Sequence, residues 1–339
     1  MRTRTKAGIV ILAAVLSLLA GAGIGSVSVS PADICRVLAS RLFGLPLPEN
    51  FSSVTPGLVL NIRLPRVTLS FAAGAAAAMG GVVMQSVLKN PLASPYGLGV
   101  SSGAGLGAAL VIVSGLGAGA LGTLALPAVS LAFGLATVGA AIFLSSRLDR
   151  SLSNNTIILT GMVLSLFTNA LMSTVSAANP EYSQRILLWQ LGSFSGRGWE
   201  ASAMVAAVAA VCLAGFLRLS PELDAMTFGE EQARALGVEL RRVKWVLIVL
   251  VAALTGTSVA FAGVIGFVDL IAPHVVRRFF GARHRLVLPM AALLGGAFMT
   301  VCDLAARTLA SPSEIPVGSI TALIGAPFFL YVYFSHRRR

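Results

Sequence analysis

The chain has 339 residues, of which 56% are hydrophobic and 11% are charged, and its formal net charge is +12. A soluble domain is excluded, because so few polar groups could not cover its surface. The arginines form short clusters between apolar segments and not one basic face, so the positive charge does not indicate nucleic-acid binding. The three cysteines, Cys35, Cys212 and Cys302, lie far apart and predict neither a metal site nor a disulfide framework.

Apolar segments follow one another along the whole chain. A helical crossing of a bilayer takes roughly 20 residues, and a helix satisfies its own backbone groups in lipid one span at a time. The prediction is an all-α, polytopic membrane protein with about ten transmembrane helices and a single domain over residues 1–339. The predicted spans are 7–28, 60–88, 92–114, 118–145, 155–178, 199–217, 245–263, 267–279, 286–309 and 317–335.

The positive-inside rule orients these spans. With both termini in the cytoplasm, 18 of the 25 lysines and arginines fall in cytoplasmic segments. The remaining basic residues are predicted on the outer side: Arg36, Arg41, Arg63, Arg66, Arg185, Arg197 and Arg307. The opposite orientation reverses this ratio, so both termini and the polar stretch 221–243 are predicted to be cytoplasmic.

Two regions predict interrupted helices. The eighth span is short and contains Pro273, and the segment Asn90 to Pro95 separates the second span from the third. Such backbone survives at membrane depth only when it is buried in protein or lines a wet cavity. A short amphipathic helix over 183–191 is expected at the outer interface, with Trp189 as its aromatic anchor.

The stretch 221–243 interrupts the apolar chain and contains five of its thirteen acids. Glu230 and Glu231 precede Arg234, which is the charge order that a helix macrodipole favours. Gly237 follows at the position where a short helix would stop. A polar double turn between two spans predicts a surface on which a second protein acts.

Gly99, Gly103 and Gly107 recur every four residues, which predicts close helix packing in lipid. The same segment formally matches the G-x-S-x-G nucleophile elbow, but an apolar helix lacks the strand-to-helix turn and the positioned histidine that this motif needs. His274 is interpreted as a hydrogen-bonded structural histidine, and His284 stands alone, so no metal site is predicted. An intramembrane enzyme is not favoured.

Two acids lie inside predicted spans. Asp303 precedes Arg307 by four residues on the ninth span, a spacing that would pair them and lower the cost of burial. For Arg307, structural pairing and docking of a partner both stay open. Asp269 lies in an apolar run and is the one group that would support an ion-coupled secondary transporter. No G-x-x-x-x-G-K-[ST] motif occurs, so an ATP-driven process would need a second chain to bind ATP.

A set of short motifs occurs in one order from about Asn61 to the C-terminus. They are Arg63-Leu64-Pro65-Arg66, Asn90-Pro91-Leu92-Ala93, Gly99 to Ala104, Ala233 to Val238, Pro273-His274, Pro316-Val317-Gly318 and Gly325 to Phe329. In these motifs the chain resembles the FecCD family, the permease subunits of ABC importers for iron–siderophore complexes, haem and vitamin B12. One position departs from the family pattern Gly-Phe-x-Gly-Leu, because Asp269 stands where a glycine is usual.

The resemblance implies a ten-helix subunit of the bacterial inner membrane, similar to the vitamin B12 importer permease. It implies a homodimer, although pairing with a paralogue stays open. The subunit would be no enzyme and would bind no cofactor, since two cytoplasmic ATPase subunits hold ATP and Mg²⁺. Those subunits would grip the stretch 221–243, where Gly237 would separate two short coupling helices. The implied coupling residues are Glu230, Glu231, Ala233, Arg234, Leu236 and Gly237.

The resemblance also implies three further sites. A periplasmic or lipid-anchored binding protein would dock through Arg63, Arg66 and Arg307, although snorkelling at the interface is an alternative for the first two. A cytoplasmic gate would consist of Asn90, Leu92, Asn154 and Asn155. The fifth and tenth spans would line the translocation path, and the fifth offers the polar, uncharged residues Thr160, Ser165, Thr168, Asn169 and Ser173.

The predicted function is that of a permease subunit of an ATP-driven importer, which moves a metal chelate across the membrane by alternating access. An iron(III)–siderophore complex is the first expected cargo, and haem and vitamin B12 are the alternatives within the family. The alternative from another class is the ion-coupled secondary transporter, which would depend on Asp269.

Overall fold

The computed structural model describes residues 3–25, 27–48, 51–116, 122–149 and 153–337. Within these ranges it contains fourteen helices and no strand, so the all-α prediction is confirmed. The helices are α1 Thr3–Gly23, α2 Pro31–Phe43, α3 Val54–Val87, α4 Val100–Ser114, α5 Ala125–Leu148, α6 Asn154–Ala178, α7 Pro180–Gln190, α8 Trp199–Arg218, α9 Ser220–Phe228, α10 Glu230–Ala235, α11 Leu240–Ala262, α12 Val268–Phe280, α13 His284–Thr308 and α14 Val317–Arg337.

Each of the ten predicted spans corresponds to a helix in the described part of the chain. Seven of these helices are long and apolar enough to cross a membrane, namely α1, α3, α5, α6, α8, α11 and α13. The apolar helix α4 and the apolar part of α14 are shorter, and α12 is the interrupted eighth span. Residue 26 of the first predicted span and residues 118–121 of the fourth lie outside the described residues.

Two spans begin at residues that the hydropathy pattern did not predict. Helix α3 starts early, at Val54, and passes through a π-helical turn over Leu58–Arg63. Helix α4 starts late, at Val100, because Pro95 opens a separate 3₁₀ turn that Gly99 ends at a φ of 88°. That left-handed backbone favours glycine, so Gly99 has a conformational role as well as the predicted packing role.

Helix α3 forms the centre of the bundle, and 89% of its most apolar 18-residue window is buried. It packs against α13 through small residues that let the two backbones approach. A Cβ atom on Gly74 would lie 2.3 Å from the carbonyl oxygen of Gly295, and one on Gly295 would lie 2.6 Å from that of Gly74. This pair therefore holds the two spans at a spacing that no larger side chain permits.

The predicted glycine face packs α4 against α5. A Cβ atom on Gly103 would lie 2.2 Å from Thr137 Oγ1, and one on Gly107 would lie 2.9 Å from the carbonyl oxygen of Val129. The packing interpretation of this segment is therefore confirmed, and the serine between the glycines lies on a regular helix.

The break ahead of α12 is largely buried in protein, as predicted, whereas in the segment Asn90 to Pro95 both Pro91 and Leu92 are exposed. The backbone turns at Gly263 and Phe267, with φ of 78° and 71°, before α12 begins. Loop amides and carbonyls from different segments satisfy one another: Ser193 N donates to Ala262 O at 2.8 Å, and Gly318 N donates to Leu191 O at 3.0 Å. The non-helical backbone thus obtains from neighbouring loops the hydrogen bonds that lipid cannot supply.

Two amphipathic helices flank the spans. Helix α2 was not predicted, although Ser30 caps it by accepting from Asp33 N at 3.1 Å and Gly44 ends it in the left-handed region. Helix α7 confirms the predicted amphipathic piece but begins earlier, at Pro180. Trp189 lies on the side of α7 that faces α4 and is only partly exposed, so it packs on the bundle and is not a free interfacial anchor.

The bundle has two chemically distinct ends. The coupling end comprises α9 and α10 with the side chains beside them, Lys89, Asn154, Lys244, Arg277 and His284. The arginine end comprises Arg63, Arg66, Asp303, Arg307 and Glu314. Helix α3 runs from the arginine end to the coupling end, and α13 returns. The arginines and lysines at the two ends match the grouping that the positive-inside rule predicted.

Candidate functional site

Two short helices form the polar stretch at the coupling end. Helix α9 begins beside Pro221, and α10 begins with Glu230 and Glu231 in its first turn. The residue that separates them is Gly229, which has φ of 137° and ψ of 153°. Gly237, with φ of 86°, instead ends α10 ahead of the long helix α11. The expectation that Gly237 divides two coupling helices is therefore wrong, because two glycines break this stretch and the first of them makes the division.

This double turn presents large apolar side chains that the chain does not cover. Phe228 is 75% exposed and Leu236 is 70% exposed. The charged side chains of Glu231 and Arg234 project beside them. A groove of about 690 Å³ runs between α9 and the start of α11. Its lining includes Leu219, Pro221, Glu222, Ala225, Leu236, Gly237, Val238, Glu239, Arg242, Val243 and Val246. Exposed apolar side chains rimmed by charge are typical of a protein–protein contact.

The inner side of the double turn is anchored in the bundle. Leu223, Met226 and Ala233 are each completely buried and belong to the main hydrophobic core. Ala233 therefore cannot touch a partner, which corrects its assignment as a coupling contact. Its methyl group faces inward because a helix as short as α10 is not stable by itself and needs an apolar contact with the bundle.

Lys244 connects α10 to the beginning of α6. Its side chain is 1% exposed, and Nζ donates to Glu230 Oε1 at 2.9 Å and to Asn154 Oδ1 at 3.0 Å. A buried ammonium group is tolerated only when it is paired and hydrogen-bonded. The coupling residue Glu230 and the predicted gate residue Asn154 are therefore bound to the same side chain. The signal for this link was a lone lysine beside an apolar run, which needed a partner.

A second polar connection joins α9 to the start of α13. Asp224 Oδ1 accepts from the backbone N of His284 at 2.9 Å and lies 2.6 Å from Nδ1 of the same residue. The other ring nitrogen, Nε2, lies 2.7 Å from Ser86 Oγ, which also accepts from Arg277 Nη2 at 2.9 Å. His284 has no neighbouring metal ligand in the sequence, but the fold gives it these hydrogen-bond partners. The partners come from α9 and α3, so no local pattern could have revealed them.

Ser86, His284 and Asp224 have the order of groups found in serine hydrolases, which the sequence did not indicate. Ser86 lies in the last turn of α3, where the backbone amides donate to carbonyl oxygens of the preceding turn. Its hydroxyl is also 2.9 Å from the carbonyl oxygen of Val82 in the same helix. A hydrolase requires a sharp turn and free N–H groups for the oxyanion, and a serine inside a regular helix meets neither requirement. The arrangement is a structural tie between three helices.

The predicted gate turn lies between α3 and α4. Asn90 Oδ1 accepts from Leu92 N at 2.9 Å, which closes the turn locally, and the side chain of Leu92 is exposed. Asp269, at the start of α12, is buried, and its Oδ2 accepts a hydrogen bond from the Ser94 hydroxyl. The unusual acid thus fastens the interrupted eighth span to the turn. Asn154 and Asn155 lie at the same end, and the closure of a gate across a dimer axis stays a prediction.

Helix α6 places the predicted path residues on different faces. Thr160 and Thr168 are buried, and each hydroxyl donates to a carbonyl of its own helix at 2.8 Å. Ser165 does the same toward Gly161 O at 2.8 Å and is half-buried. The assignment of Thr160 and Thr168 to an open path is therefore corrected. A hydroxyl on a helix can satisfy itself four residues back, so polarity alone did not reveal its direction.

The open face of α6 is mostly apolar. Met162, Val163, Leu166 and Phe167 are all more than half exposed. Asn169 and Ser173 lie on the exposed side further along the helix. For these two residues the path assignment stays a prediction. A row of large apolar side chains on a helix that contains no charged residue requires lipid or a second protein surface against it.

At the arginine end, the arginines bind carboxylates and carbonyl oxygens of the same chain. Arg66 Nη2 donates to Asp303 Oδ1 at 2.8 Å, and Arg66 Nη1 donates to Glu314 Oε1 at 2.7 Å. Arg63 donates to the carbonyl oxygens of Ala22 and Gly23 at 3.0 and 2.7 Å. All three residues of the Arg66 network come from different segments, so long-range folding brings them together.

Arg307 completes this cluster. Its Nε lies 3.7 Å from Asp303 Oδ2, and its Nη2 donates to Gly21 O. The predicted i, i+4 pairing is therefore confirmed. Arg63, Arg66 and Arg307 were predicted to reach acids on a binding protein, but their side chains are buried against this chain's own carboxylates and carbonyls. The hydrogen bond from Arg66 holds the pKa of Glu314 below its usual range.

Comparison with known proteins fits this architecture. The model of the FecCD transport family matches residues 10–335. An uncharacterized ABC transporter permease protein, YvrB of Bacillus subtilis, is 39% identical over 95% of this chain and 91% of the relative. The Fe(3+)-citrate import system permease protein YfmE of the same organism is 35% identical over 97% of this chain and 95% of its own.

A solved structure gives the same result in three dimensions. An inward-facing ABC transporter of the metal-chelate type superposes with a TM-score of 0.85 and 31% identity, covering 98% of this chain and 99% of that one. Other similar permeases are named for hemin, cobalamin and molybdate import. The ten spans, the interrupted helices and the ordered motifs thus agree with matches along nearly the whole chain, and this polytopic membrane protein belongs to the FecCD transport family.

Proposed function

We propose that the chain is the membrane-spanning permease subunit of an ATP-driven importer that moves a metal chelate by alternating access. The observation that carries this proposal is the uncovered double turn at the coupling end. Phe228 and Leu236 expose apolar side chains on a projection that is itself rooted in the core by Leu223 and Met226. A rigidly anchored projection of this kind can receive force from a partner and pass it to the bundle.

The partner at this surface is a cytoplasmic ATPase, and two copies serve a dimeric permease. ATP and Mg²⁺ belong to those subunits, because this chain has no Walker A motif. The contact residues on the permease side are Glu230, Glu231, Arg234, Leu236 and Gly237. Hydrolysis would tilt α9 and α10 together, since buried side chains fasten both of them to the same core.

The coupling end and both termini lie on the cytoplasmic side of a bacterial inner membrane. The distribution of basic residues supports this orientation, with 18 of the 25 lysines and arginines on the side of the double turn. Lys6 Nζ donates to Phe279 O at 2.7 Å, which joins the N-terminal helix to the same end of the bundle. The arginine end then faces the periplasm or the outside.

A second copy of the permease covers the open face of α6. That face offers Met162, Leu166 and Phe167, with Asn169 and Ser173 beyond them. A cavity between two such faces contains no charge, which suits weak contact with a bulky cargo. Selectivity would then rest with a binding protein that docks at the arginine end, where the buried arginines support the surface and other side chains reach the partner.

An iron(III) chelate is the first cargo that we propose, with haem and a corrinoid after it. Similar permeases are named for Fe(3+)-citrate, hemin, cobalamin and molybdate import. Membership of the family therefore defines a class of metal-containing cargoes and leaves the individual cargo to the binding protein.

Affinity purification from native membranes tests the proposal. Proteins that co-purify would be identified by mass spectrometry, and the visible absorption spectrum would be recorded. We expect an ATPase with a Walker motif and a binding protein with a ferric-chelate, haem or corrinoid band. Repeated recovery of the chain alone, with uptake intact in ATP-free vesicles, would contradict the proposal and favour ion-coupled transport through Asp269.

A further inference from the structure

Lys244 is the buried one of the three lysines in this chain. Lys6 is half-buried and Lys89 is exposed, whereas 1% of the Lys244 side chain is accessible. It lies in the first turns of α11, immediately after the double turn. A buried ammonium group in an apolar helix is costly, so its position needs an explanation beyond solubility.

Its contacts join three helices that meet at the coupling end. Nζ donates to Glu230 Oε1 in α10 at 2.9 Å and to Asn154 Oδ1, the first residue of α6, at 3.0 Å. Glu230 also lies 3.8 Å from Arg234, which is exposed on the outer side of α10. A continuous series of polar contacts therefore runs from the surface of the double turn to the beginning of the helix with the open face.

The buried charge makes this connection resistant to breaking. If α10 moved without Lys244, the almost completely buried ammonium group would lose the carboxylate of Glu230, which is unfavourable. The side chain must therefore follow Glu230, and Asn154 is bound to the same nitrogen. Movement of the double turn is in this way converted into movement of the end of α6.

We propose that Lys244 is a positioning residue that transmits displacement of α10 to α6 and so couples ATP hydrolysis to opening of the path. This inference rests on the proposed function. Lys244 is buried between the ATPase surface and the cargo path, so it acts through Glu230 and Asn154. The second tie, from Asp224 to His284, joins α9 to α13 instead.

The variant Lys244→Met tests the inference in the complete importer, purified with its ATPase subunits and binding protein and reconstituted into vesicles. Methionine keeps most of the length of the side chain and removes the charge. We expect the ATPase to co-purify and ATP hydrolysis to stay within about twofold, while uptake per ATP falls at least about fivefold, the lower range of measured coupling between sites. Lys6→Met is the matched control and should leave both quantities unchanged.

Asn154→Ala provides a second variant that keeps the buried charge paired. Lys244 would still bind Glu230, so folding is less disturbed, but the hydrogen bond to the first residue of α6 would be lost. We expect the same fall in uptake per ATP, and the double variant should be no worse than Lys244→Met alone, because both changes interrupt one connection. Thermal unfolding in detergent identifies any variant that has lost its fold, in which case Asn154→Ala decides the outcome.

Normal uptake per ATP in folded Asn154→Ala and Lys244→Met would overturn the inference. An equal loss in Lys6→Met would also overturn it, because that lysine binds Phe279 in α12 and not the helices that Lys244 joins. A wrong assignment of the function would give a different result from either of these. In that case the unmodified protein would lack an associated ATPase or would show no ATP-dependent uptake.

Discussion

At the arginine end, Arg66 is enclosed by Asp303 and Glu314 of its own chain, whereas at the coupling end Glu231 and Arg234 project from the bundle beside uncovered apolar side chains. Both ends contain arginines and acids, so hydropathy does not distinguish them. At the first, segments distant in sequence converge and bury Arg66 and Asp303. At the second, a short helix holds Glu231 and Arg234 in an exposed position.

The difference separates charges that stabilise the fold from charges that are free to bind a partner. A carboxylate that already binds a buried arginine would have to break that pair before it could bind another protein, which is strongly unfavourable. The exposed side chains of the double turn are solvated, so a partner displaces mainly water from them. Burial, and not the type of residue, therefore indicates which end can exchange contacts during transport.

The largest expected effect, on the stability of the fold, comes from breaking the buried ion pairs of Asp303. Asp303→Ala would leave Arg66 and Arg307 without their shared carboxylate, and we expect a loss of about 3–5 kcal/mol in the free energy of unfolding, as for other broken buried ion pairs. Thermal unfolding in detergent and the amount of folded protein in the membrane would measure it.

An exposed pair of the same type is the control. Asp33 and Arg36 lie 3.0 Å apart but keep 32% and 57% of their side chains accessible. Arg36→Ala, which keeps the contact between Asp33 and the helix cap Ser30, should cost no more than about 1 kcal/mol, the usual range for surface ion pairs. Equal effects of the two alanine variants would contradict the distinction between the two ends.

The next effect concerns association and not folding. Leu236→Asp places a charge in the uncovered apolar patch of the double turn, so we expect normal insertion and thermal stability but at least about a tenfold loss of ATPase co-purification, as for a central contact residue. Leu309→Asp is a matched control, because Leu309 is also 70% exposed and lies toward the arginine end. Retained association in Leu236→Asp, or equal loss in both variants, would remove the double turn as the docking surface.

The smallest expected effect is a dependence of the stability of the fold on pH. The pKa of Glu314 is held low mainly by the hydrogen bond from Arg66, so its stabilising contribution is present above the pKa of the unfolded chain and disappears as pH falls through the folded value. Because Glu314 is partly exposed, we expect the contribution to be below about 1 kcal/mol. Glu314→Gln should lower the unfolding temperature slightly at neutral pH and reduce its decline toward acid pH. An unchanged acid response in this variant would exclude Glu314 as the titrating group.

Much of the fold could be predicted from hydropathy and turn chemistry. Ten spans, the short eighth span that contains Pro273 and the glycine packing of α4 against α5 all correspond to observed features. The amphipathic helix α2 was missed, although Ser30, Pro31 and Gly44 supply its start and stop signals. A hydropathy profile does not detect such a helix, because the polar and apolar faces average to an intermediate value within the window. The residues of a loop give a similar average.

The candidate site could be predicted only in part. The exposed positions Glu231, Arg234 and Leu236 lie where the sequence indicated a partner surface, and Asp303 pairs with Arg307 as its spacing predicted. Ala233 was assigned to the wrong side of α10 and Thr160 to the wrong side of α6. A short helix and a helix with little amphipathicity do not reveal their buried face in one sequence.

The sequence by itself determined the class of the protein. An apolar chain with interspersed basic clusters can fold only as a polytopic helical bundle, and the placement of its charges predicts the orientation of that bundle. Only the tertiary structure decided which polar groups pair across distant segments of the chain. Arg66 with Glu314, His284 with Asp224 and Lys244 with Asn154 each join segments far apart in the chain. Such pairs form because a buried charge must find whichever partner the packed helices bring to it.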